Sequence, residues 1–406
     1  MIHVGIDWAD TTHFICILDD NGKKLESFQI PHNHKGFEGF DRKISRFGAP
    51  SQVRVAIETK DSLLVDFLLE LGYQLYFMNP MQTARFRDRH RMSRSKSDAF
   101  DAYVLADAVR TDAHLLHALQ ELDEISLQLR VLTRTREGVV NRKVAIHNEL
   151  TAHLKRYFPV ALELFGGVDN AEAIAFLSTY PTYQQAKTVT QTRVTALLMK
   201  HTEVSPAIAA RHATKACALL KEKQAQPQAS IAQAYPVVVK SLLRQMKNIL
   251  AELEVLDEEI ATLYRDHPNK DLLESLPGVA EKLGPVLAAE IGTDLTRFQG
   301  VKALKAFAGV CPVTGQSGKY KSVFFRRACN KQLRRAVHLA SLAALHKPWA
   351  RELFDRLRSQ GKTYGRSLRA VGEQLLEILY AVLQRGVPYD DEYHMQMKVV
   401  HGRHCH

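Results

Sequence analysis

The chain has 406 residues, 46% of them hydrophobic and 24% charged, with a formal net charge of +11. That length is more than one hydrophobic core normally serves, so two or more domains of ordinary globular composition are expected. No run approaches 18 apolar residues, so no membrane-spanning helix is predicted. The opening MIHVGIDWAD lacks a basic region ahead of a long apolar one and reads as a folded strand, not a signal peptide. HVGIDWA, THFICIL and KLESFQI alternate as strands do, and Asp20, Asn21 and Gly22 supply a tight turn, so the chain begins as a three-stranded antiparallel meander. VRVAIE at 53–58 is a short apolar strand, SLLVDFLLELG an amphipathic helix ending at Gly72, and YQLYFMNP a buried strand stopped by Pro80. A basic loop follows, then a helix from about Ser97, giving an α/β unit over residues 1–114.

Apolar residues at 115, 119, 122, 125, 129 and 132, and again at Leu242, Met246, Leu253, Leu256, Ile260 and Leu263, predict two long helices with a coiled-coil seam, over 115–159 and 237–267. Antiparallel pairing or dimerisation would suit them. Between them, 160–236 is Ala-, Gln- and Thr-rich and reads only as a helical insertion.

Residues 268–390 form a last, mainly helical domain. It opens with LLESLPGVAEKLGPVLAAEIG, which looks like a helix-hairpin-helix whose Pro-Gly turn presents backbone N–H groups to a phosphate. In the tail, 391–406, His394, His401, His404, Cys405 and His406 fit an unstructured end, with a metal role as the alternative. The five cysteines are scattered without a C-x-x-C, which fits a reducing cytosol.

The positive charge is concentrated. Residues 297–369 hold seventeen Lys or Arg against Glu352 and Asp355 alone, and RFRDRHRMSRSK at 85–96 holds five Arg and one Lys beside one Asp. Two such clusters are the electrostatic footprint of a polyanion, because phosphate contacts release counterions from nucleic acid. The candidate contacts are Arg85, Arg87, Arg89, Arg91, Arg94 and Lys96 in the first cluster. In the second they are Lys319, Lys321, Arg326, Arg327, Lys331, Arg334 and Arg335.

Four carboxylates carry the candidate chemistry. Asp7 interrupts the apolar run of the first strand, Glu58 ends the fourth, and Asp98 and Asp101 stand one helical turn apart on one face of SKSDAFDAYVLADAV. In an RNase H-like fold the first strand lies beside the fourth and a late helix crosses both, which would gather all four. Two carboxylates about 4 Å apart repel by roughly 4 kcal/mol at an effective dielectric near 20, so such a cluster calls for a divalent cation. Mg²⁺ is the natural choice, with Mn²⁺ as a substitute, because hard cations take oxygen ligands and share them with phosphates. Taken singly, Asp7 could cap a turn, and Asp98 and Asp101 could be ordinary acids of a helix N-terminus.

The order Asp7, Glu58 and KSDAFDA resembles the DEDD signature of the insertion-sequence 110 family of transposases. LPGV at 276–279, RFQGVKALKAFAGVCP at 297–312, SGK at 317–319 and NKQLRRAVHLA at 330–340 resemble that family's C-terminal half. The likeness spans nearly the whole chain outside 160–236. It implies a RuvC-like, RNase H-like nuclease domain followed by a smaller transposase domain with a functional serine, here Ser317. It also implies DNA as substrate, a structured guide RNA encoded by the element, and assembly as a homodimer or homotetramer in the cytoplasm, on the nucleoid. Two positions depart from the family's pattern: Cys329 precedes Asn330 where Gly is common, and Ala280 replaces a Gly of the hairpin.

The residues alone leave the serine open. An S-G-K loop is usually a turn, the spacing is not that of a P-loop, and Thr314 and Ser322 are alternative nucleophiles. The expected reaction is attack by Ser317 on a phosphodiester, with charge stabilised at the carboxylate site and the strand held by Arg326, Arg327, Arg334 and Arg335. A metal-dependent junction nuclease with a structural Ser317 is the first rival. A sugar-kinase relative lacks the late Gly-rich nucleotide loop it would need. A non-catalytic nucleic-acid-binding protein is the third.

Overall fold

The computed structural model describes residues 1–90, 97–116, 118–119, 122–222, 233–318 and 320–400, with Lys321 and 397–400 described by backbone only. The chain divides into two compact units, 1–121 and 122–406.

The first unit is built on β1 (Ile2–Asp7), β2 (Thr12–Leu18), β3 (Lys24–Pro31), β4 (Val53–Ile57) and β5 (Gln74–Phe77), in the spatial order β3-β2-β1-β4-β5. β1, β2 and β3 form the antiparallel meander, whereas β4 pairs parallel to β1 and β5 parallel to β4, so the sheet is mixed. Its helices are α1 (His34–Ile44), α2 (Leu63–Glu70), α3 (Pro80–His90) and α4 (Asp98–Asp112). One face of the sheet is mainly aliphatic: Val4, Ile6, Ile15, Ile17, Val55 and Ile57 pack against Phe37, Phe40 and Ile44 of α1 and Leu64 and Leu68 of α2. The other face is small, with Gly5, Cys16 and Ala56, and α4 lies on it through Ala102, Leu105, Ala106 and Val109.

Three features differ from the sequence reading. α1 is a helix the hydrophobic pattern did not isolate; Asn33 starts it by accepting from the Gly36 N–H at 2.9 Å. Pro80 opens a helix instead of only ending a strand. Proline suits the first helical position, and Asn79 and Gln82 exchange side-chain bonds with each other's backbone N–H in a reciprocal cap. The basic segment is therefore helical as far as His90. Finally, the long helix does not begin at 115: Leu115 is in a short 3₁₀ turn, and the Leu119 N–H bonds to Leu75 O at 2.7 Å beside β5.

His13 is fully buried in this unit, beside Trp8, His32 and Phe37. Its Nδ1 accepts from the Ala9 N–H and its Nε2 lies 2.8 Å from His32 Nδ1, an arrangement for a neutral ring that donates from Nε2. Burial, reinforced by His32, pushes the imidazole down to about 4. A depressed histidine stabilises the fold fully above its ordinary value near 6.5, and that stability is lost as pH falls toward 4. Its full worth is about 3 kcal/mol. The unit's melting temperature is expected to fall between pH 7 and pH 5, and the fall to be smaller in His13→Phe, as followed by circular dichroism.

The second unit is helical apart from one hairpin. α5 (Glu124–Tyr157) and α10 (Tyr235–Arg265) are 34 and 31 residues long. The pairs Arg136–Asp257 and Arg142–Glu252 show that they run antiparallel against each other within the chain. Tyr157 stacks on Tyr235 where the pair meets the insertion, ring centroids 4.9 Å apart. The insertion is α6 (Ala171–Thr179), α7 (Tyr183–Ala186), α8 (Gln191–His201) and α9 (Pro206–Leu220), started by Asn170, Thr182, Thr190 and Ser205 caps. Its core joins Phe158, Phe176, Leu177 and Leu198 to Leu150, Leu154 and Leu243 of the long pair.

The other end of that pair, through Leu129 and Ile260, enters the core of the C-terminal helices. These are α11 (Lys270–Glu274), α12 (Gly284–Ile291), α13 (Val301–Phe307), α14 (Lys331–Ala343), α15 (Pro348–Ser359), α16 (Tyr364–Arg385) and α17 (Asp391–Val400). Between α13 and α14 stands the hairpin of β6 (Val313–Ser317) and β7 (Tyr320–Phe324). The Pro-Gly turn after α11 is turned inward. A Cβ on Gly278, which has a φ of +76°, would lie 2.2 Å from Ala340 O of α14, so this glycine permits close helix packing. The tail is helical as far as Val400, and His394 packs on Trp349 and Tyr389. His401, His404, Cys405 and His406 lie outside the described residues.

Candidate active site

β1 and β4 run parallel with Gly5 opposite Ala56 and Ile6 opposite Ile57, so Asp7 and Glu58 come next on adjacent strands, whose backbones lie about 4.8 Å apart across the sheet. Side chains alternate across a strand, which puts Asp7 with Gly5 and Glu58 with Ala56 on the face that α4 covers.

The direction of α4 follows from its far end. Arg110 donates to Asp20 O at 3.3 Å, and Asp20 accepts from the Met1 amino group and faces His3 Nε2 at 2.8 Å. The C-terminus of α4 therefore sits over the start of β1, its middle over Gly5, and its N-terminus over the edge where β1 and β4 end. Ser97 caps that N-terminus, and Asp98 and Asp101 occupy the first turn. Both pairs of acids are thus carried to one edge of the sheet.

They do not close on one another there. Among the described residues, no group of three or more His, Cys, Asp or Glu side chains is spaced to hold a metal ion. Asp101 itself is engaged within the unit. That carboxylate is 2% exposed and is held by Arg87 of α3, whose Nε donates to Oδ1 at 2.7 Å. The guanidinium neutralises the buried acid. Asp98 is exposed, Asp7 and Glu58 half-buried. Donors that are all carboxylate oxygens suit a hard divalent ion.

The first basic cluster is correspondingly divided. Arg87 serves Asp101, Arg89 lies 3.5 Å from Asp112, and Arg85 faces solvent. Arg91, Arg94 and Lys96 lie outside the described residues.

Ser317 belongs to the second unit and ends β6. It pairs with Tyr320, and Gly318 after it has a φ of +57°. The serine is exposed at the tip, whereas Ser322 is half-buried and bonded to Gly315 O at 3.2 Å; Thr314 is exposed. Lys319 and the Lys321 side chain lie outside the described residues. Arg327 and Lys331 are exposed; Arg326 donates to Cys311 O, Arg334 to Arg326 O, and Arg335 pairs with Glu137. Cys329 is accommodated because its side chain lies where a Cβ on Gly309 would be.

A transposase family model of the DEDD type matches residues 4–159, and the transposase IS116/IS110/IS902 family matches residues 270–355. The protein named as the transposase for the mini-circle IS117 of Streptomyces coelicolor is 30% identical over 405 residues, 96% of each chain. The 43.6 kDa protein of insertion element IS110 from the same organism is 26% identical, covering 96% of this chain and 95% of its own. The 42 kDa protein of insertion element IS900 from Mycobacterium paratuberculosis is 27% identical, covering 96% and 97%.

The chain belongs to the IS116/IS110/IS902 transposase family. Its activity is accordingly that of a DNA transposase, and a DEDD-type domain implies dependence on a divalent metal. No helix among the described residues is long and apolar enough to cross a membrane.

Two acids of this transposase escaped the sequence reading. Asp107 is buried on α4 and bonded to Arg110 at 2.6 and 2.9 Å, with His90 Nε2 of α3 3.0 Å away. Glu290 is wholly buried on α12. It accepts two bonds from Arg134 and one from Asn330, the cap of α14 just beyond the hairpin. Burial alone would raise its carboxyl, but those bonds and the nearby Arg130 outweigh burial and hold it below the usual range. The signal available for both was an acid inside an apolar run, ADAV and AAEI.

Proposed function

We propose that this transposase cuts and rejoins DNA through two sets of groups, the carboxylates Asp7, Glu58, Asp98 and Asp101 on an RNase H-like domain and a nucleophilic Ser317. The observation that carries this reading is the antiparallel course of α4 across Gly5, which takes the paired aspartates to the edge shared by Asp7 and Glu58. A divalent ion bound there, Mg²⁺ with Mn²⁺ as substitute, supplies positive charge to phosphate oxygens. Ser317 Oγ forms a bond to phosphorus as the bond to the leaving sugar oxygen breaks. The serine proton passes to solvent and the leaving oxygen takes one up. The phosphoserine keeps the ester's bond energy for rejoining. Arg326, Arg327, Lys331, Arg334 and Arg335, with Lys319 and Lys321 at the hairpin, hold the strand by its phosphates. Donor and target DNA are the substrates, a structured RNA of the element selects the sites, and a homodimer or homotetramer supplies enough active sites for two DNA molecules.

The exposed tip of the hairpin supports the role of Ser317, since a nucleophile must reach a strand from outside. A recombination assay in cells tests the two-part scheme, with donor and target plasmids and the element's flanking non-coding DNA. Ser317→Ala is expected to abolish product while the protein accumulates normally. Recombination surviving that change would leave the carboxylates acting alone, as in a junction nuclease.

A further inference from the structure

Beside the hairpin, α14 and α16 leave a cavity of about 450 Å³. That is within the roughly 300–1,000 Å³ typical of pockets that enclose a small organic group. Val310, Phe325, Val337, Leu368 and Gly372 form its apolar lining; Lys331, Arg334 and Arg369 bring cations to it beside Arg335, which Glu137 already pairs, and His338 stands exposed on its wall.

The charge is unbalanced. The Arg334 and Arg369 guanidinium groups lie 4.5 and 5.0 Å from the centre of the Phe325 ring, so two cations share one aromatic side chain. Arg369 is half-buried, and among the described residues no carboxylate pairs with it. Burial, and after it Arg334 and Arg366, push its guanidinium down, with Glu373 opposing. A half-desolvated cation facing other cations is costly until an anion arrives. A bare phosphate would answer the charge but would leave the Phe325 ring, 45% exposed, uncovered. A nucleotide answers both.

We propose that this cavity receives one unstacked nucleotide of a DNA strand, its phosphate at Arg369 and Lys331 and its base against the exposed Phe325 ring. The proposal rests on the reading that the basic surface of this unit contacts DNA, and adds that one base is taken out of the stack beside the serine hairpin. Extrusion from a paired duplex costs free energy, so a nucleotide already unpaired is preferred.

The test measures equilibrium binding of the full chain, at fixed ionic strength, to a paired DNA duplex and to the same duplex with one unpaired adenosine. The wild type is expected to favour the bulged DNA by roughly tenfold. Arg369→Gln, which removes a cation from a repulsive cluster and so should not unfold the chain, is expected to reduce that ratio to about two. His338→Trp, which fills the mouth from an exposed position, is expected to do the same. Equal binding of both DNAs by the wild type overturns the proposal, as do variants that weaken both DNAs alike, since charge alone would then explain the site. Failure to bind either DNA would instead strike the DNA-binding reading on which the proposal stands, and with it the proposal.

Discussion

Asp7→Asn is expected to lower strand cleavage by at least roughly a thousandfold while the melting temperature stays near that of the wild type. The amide has the shape of the carboxylate, and Asp7 is half-buried at the end of β1 instead of in the aliphatic core, so little packing is lost. What goes is a negative charge beside Glu58 on the neighbouring strand. Stoichiometric Mn²⁺ binding, read by electron paramagnetic resonance without any DNA, is expected in the wild type and absent in Asp7→Asn. Asp101→Asn makes a second, different comparison. That acid is buried and holds Arg87, so its loss leaves a half-buried guanidinium unpaired and should lower stability by about 1–3 kcal/mol as well as abolish cleavage. Two inactive variants, of which only Asp101→Asn melts early, would separate the chemical role of the charge from the packing of α3 on α4. Cleavage retained by Asp7→Asn would remove Asp7 from the site.

Why some of this was legible and some not comes down to range. The strands of the first unit announce themselves because VGI, FICIL, VAI and YQLYF are β-branched or aromatic runs broken by turn residues, and each signal is local. The KSDAFDA pair was legible for the same reason: two acids three apart behind a serine cap form one turn of helix. By contrast, α1 has Gly36 and Gly39 within it, which blur a helical pattern, and Pro80 is ambiguous between ending a strand and starting a helix until Asn79 and Gln82 are seen to cap it. Residues 115–122 carry leucines at heptad-like spacing that belong partly to the edge of β5, because spacing alone does not distinguish a helix from leucines placed by a sheet. Least legible of all was Arg87. As a basic residue in a basic run it looks like a phosphate contact, and only the packing of α3 on α4 makes it the counter-ion of Asp101. Glu290 and Asn330 are likewise 40 residues apart and meet only in the folded C-terminal unit.

Gly5→Val is expected to destabilise the first unit by about 3 kcal/mol or more, lowering its melting temperature by roughly 10 °C or more. A Cβ at this position would stand 1.9 Å from Ala102 O and 2.4 Å from Ala106 N, both backbone atoms of α4. Neither can swing aside as a side chain could, so the helix itself must lift from β1 by more than about 1 Å to restore ordinary contact. The Ala102 and Ala106 methyl groups then lose Cys16 and Leu18, and the first turn of α4 moves away from the edge formed by Asp7 and Glu58. Gly39→Ala is the matched control. It lies within α1 with nothing near a new Cβ, and alanine there should be neutral or stabilise by about 0.5–1 kcal/mol. The milder Gly5→Ala sharpens the test, because a protein that still melts cooperatively but has lost both Mn²⁺ binding and cleavage would tie the seat of α4 directly to the carboxylate site. Were Gly5→Ala to keep full cleavage, the position of α4 on β1 would not determine the geometry of those acids, and the case for Asp98 and Asp101 acting with Asp7 and Glu58 would fail with it.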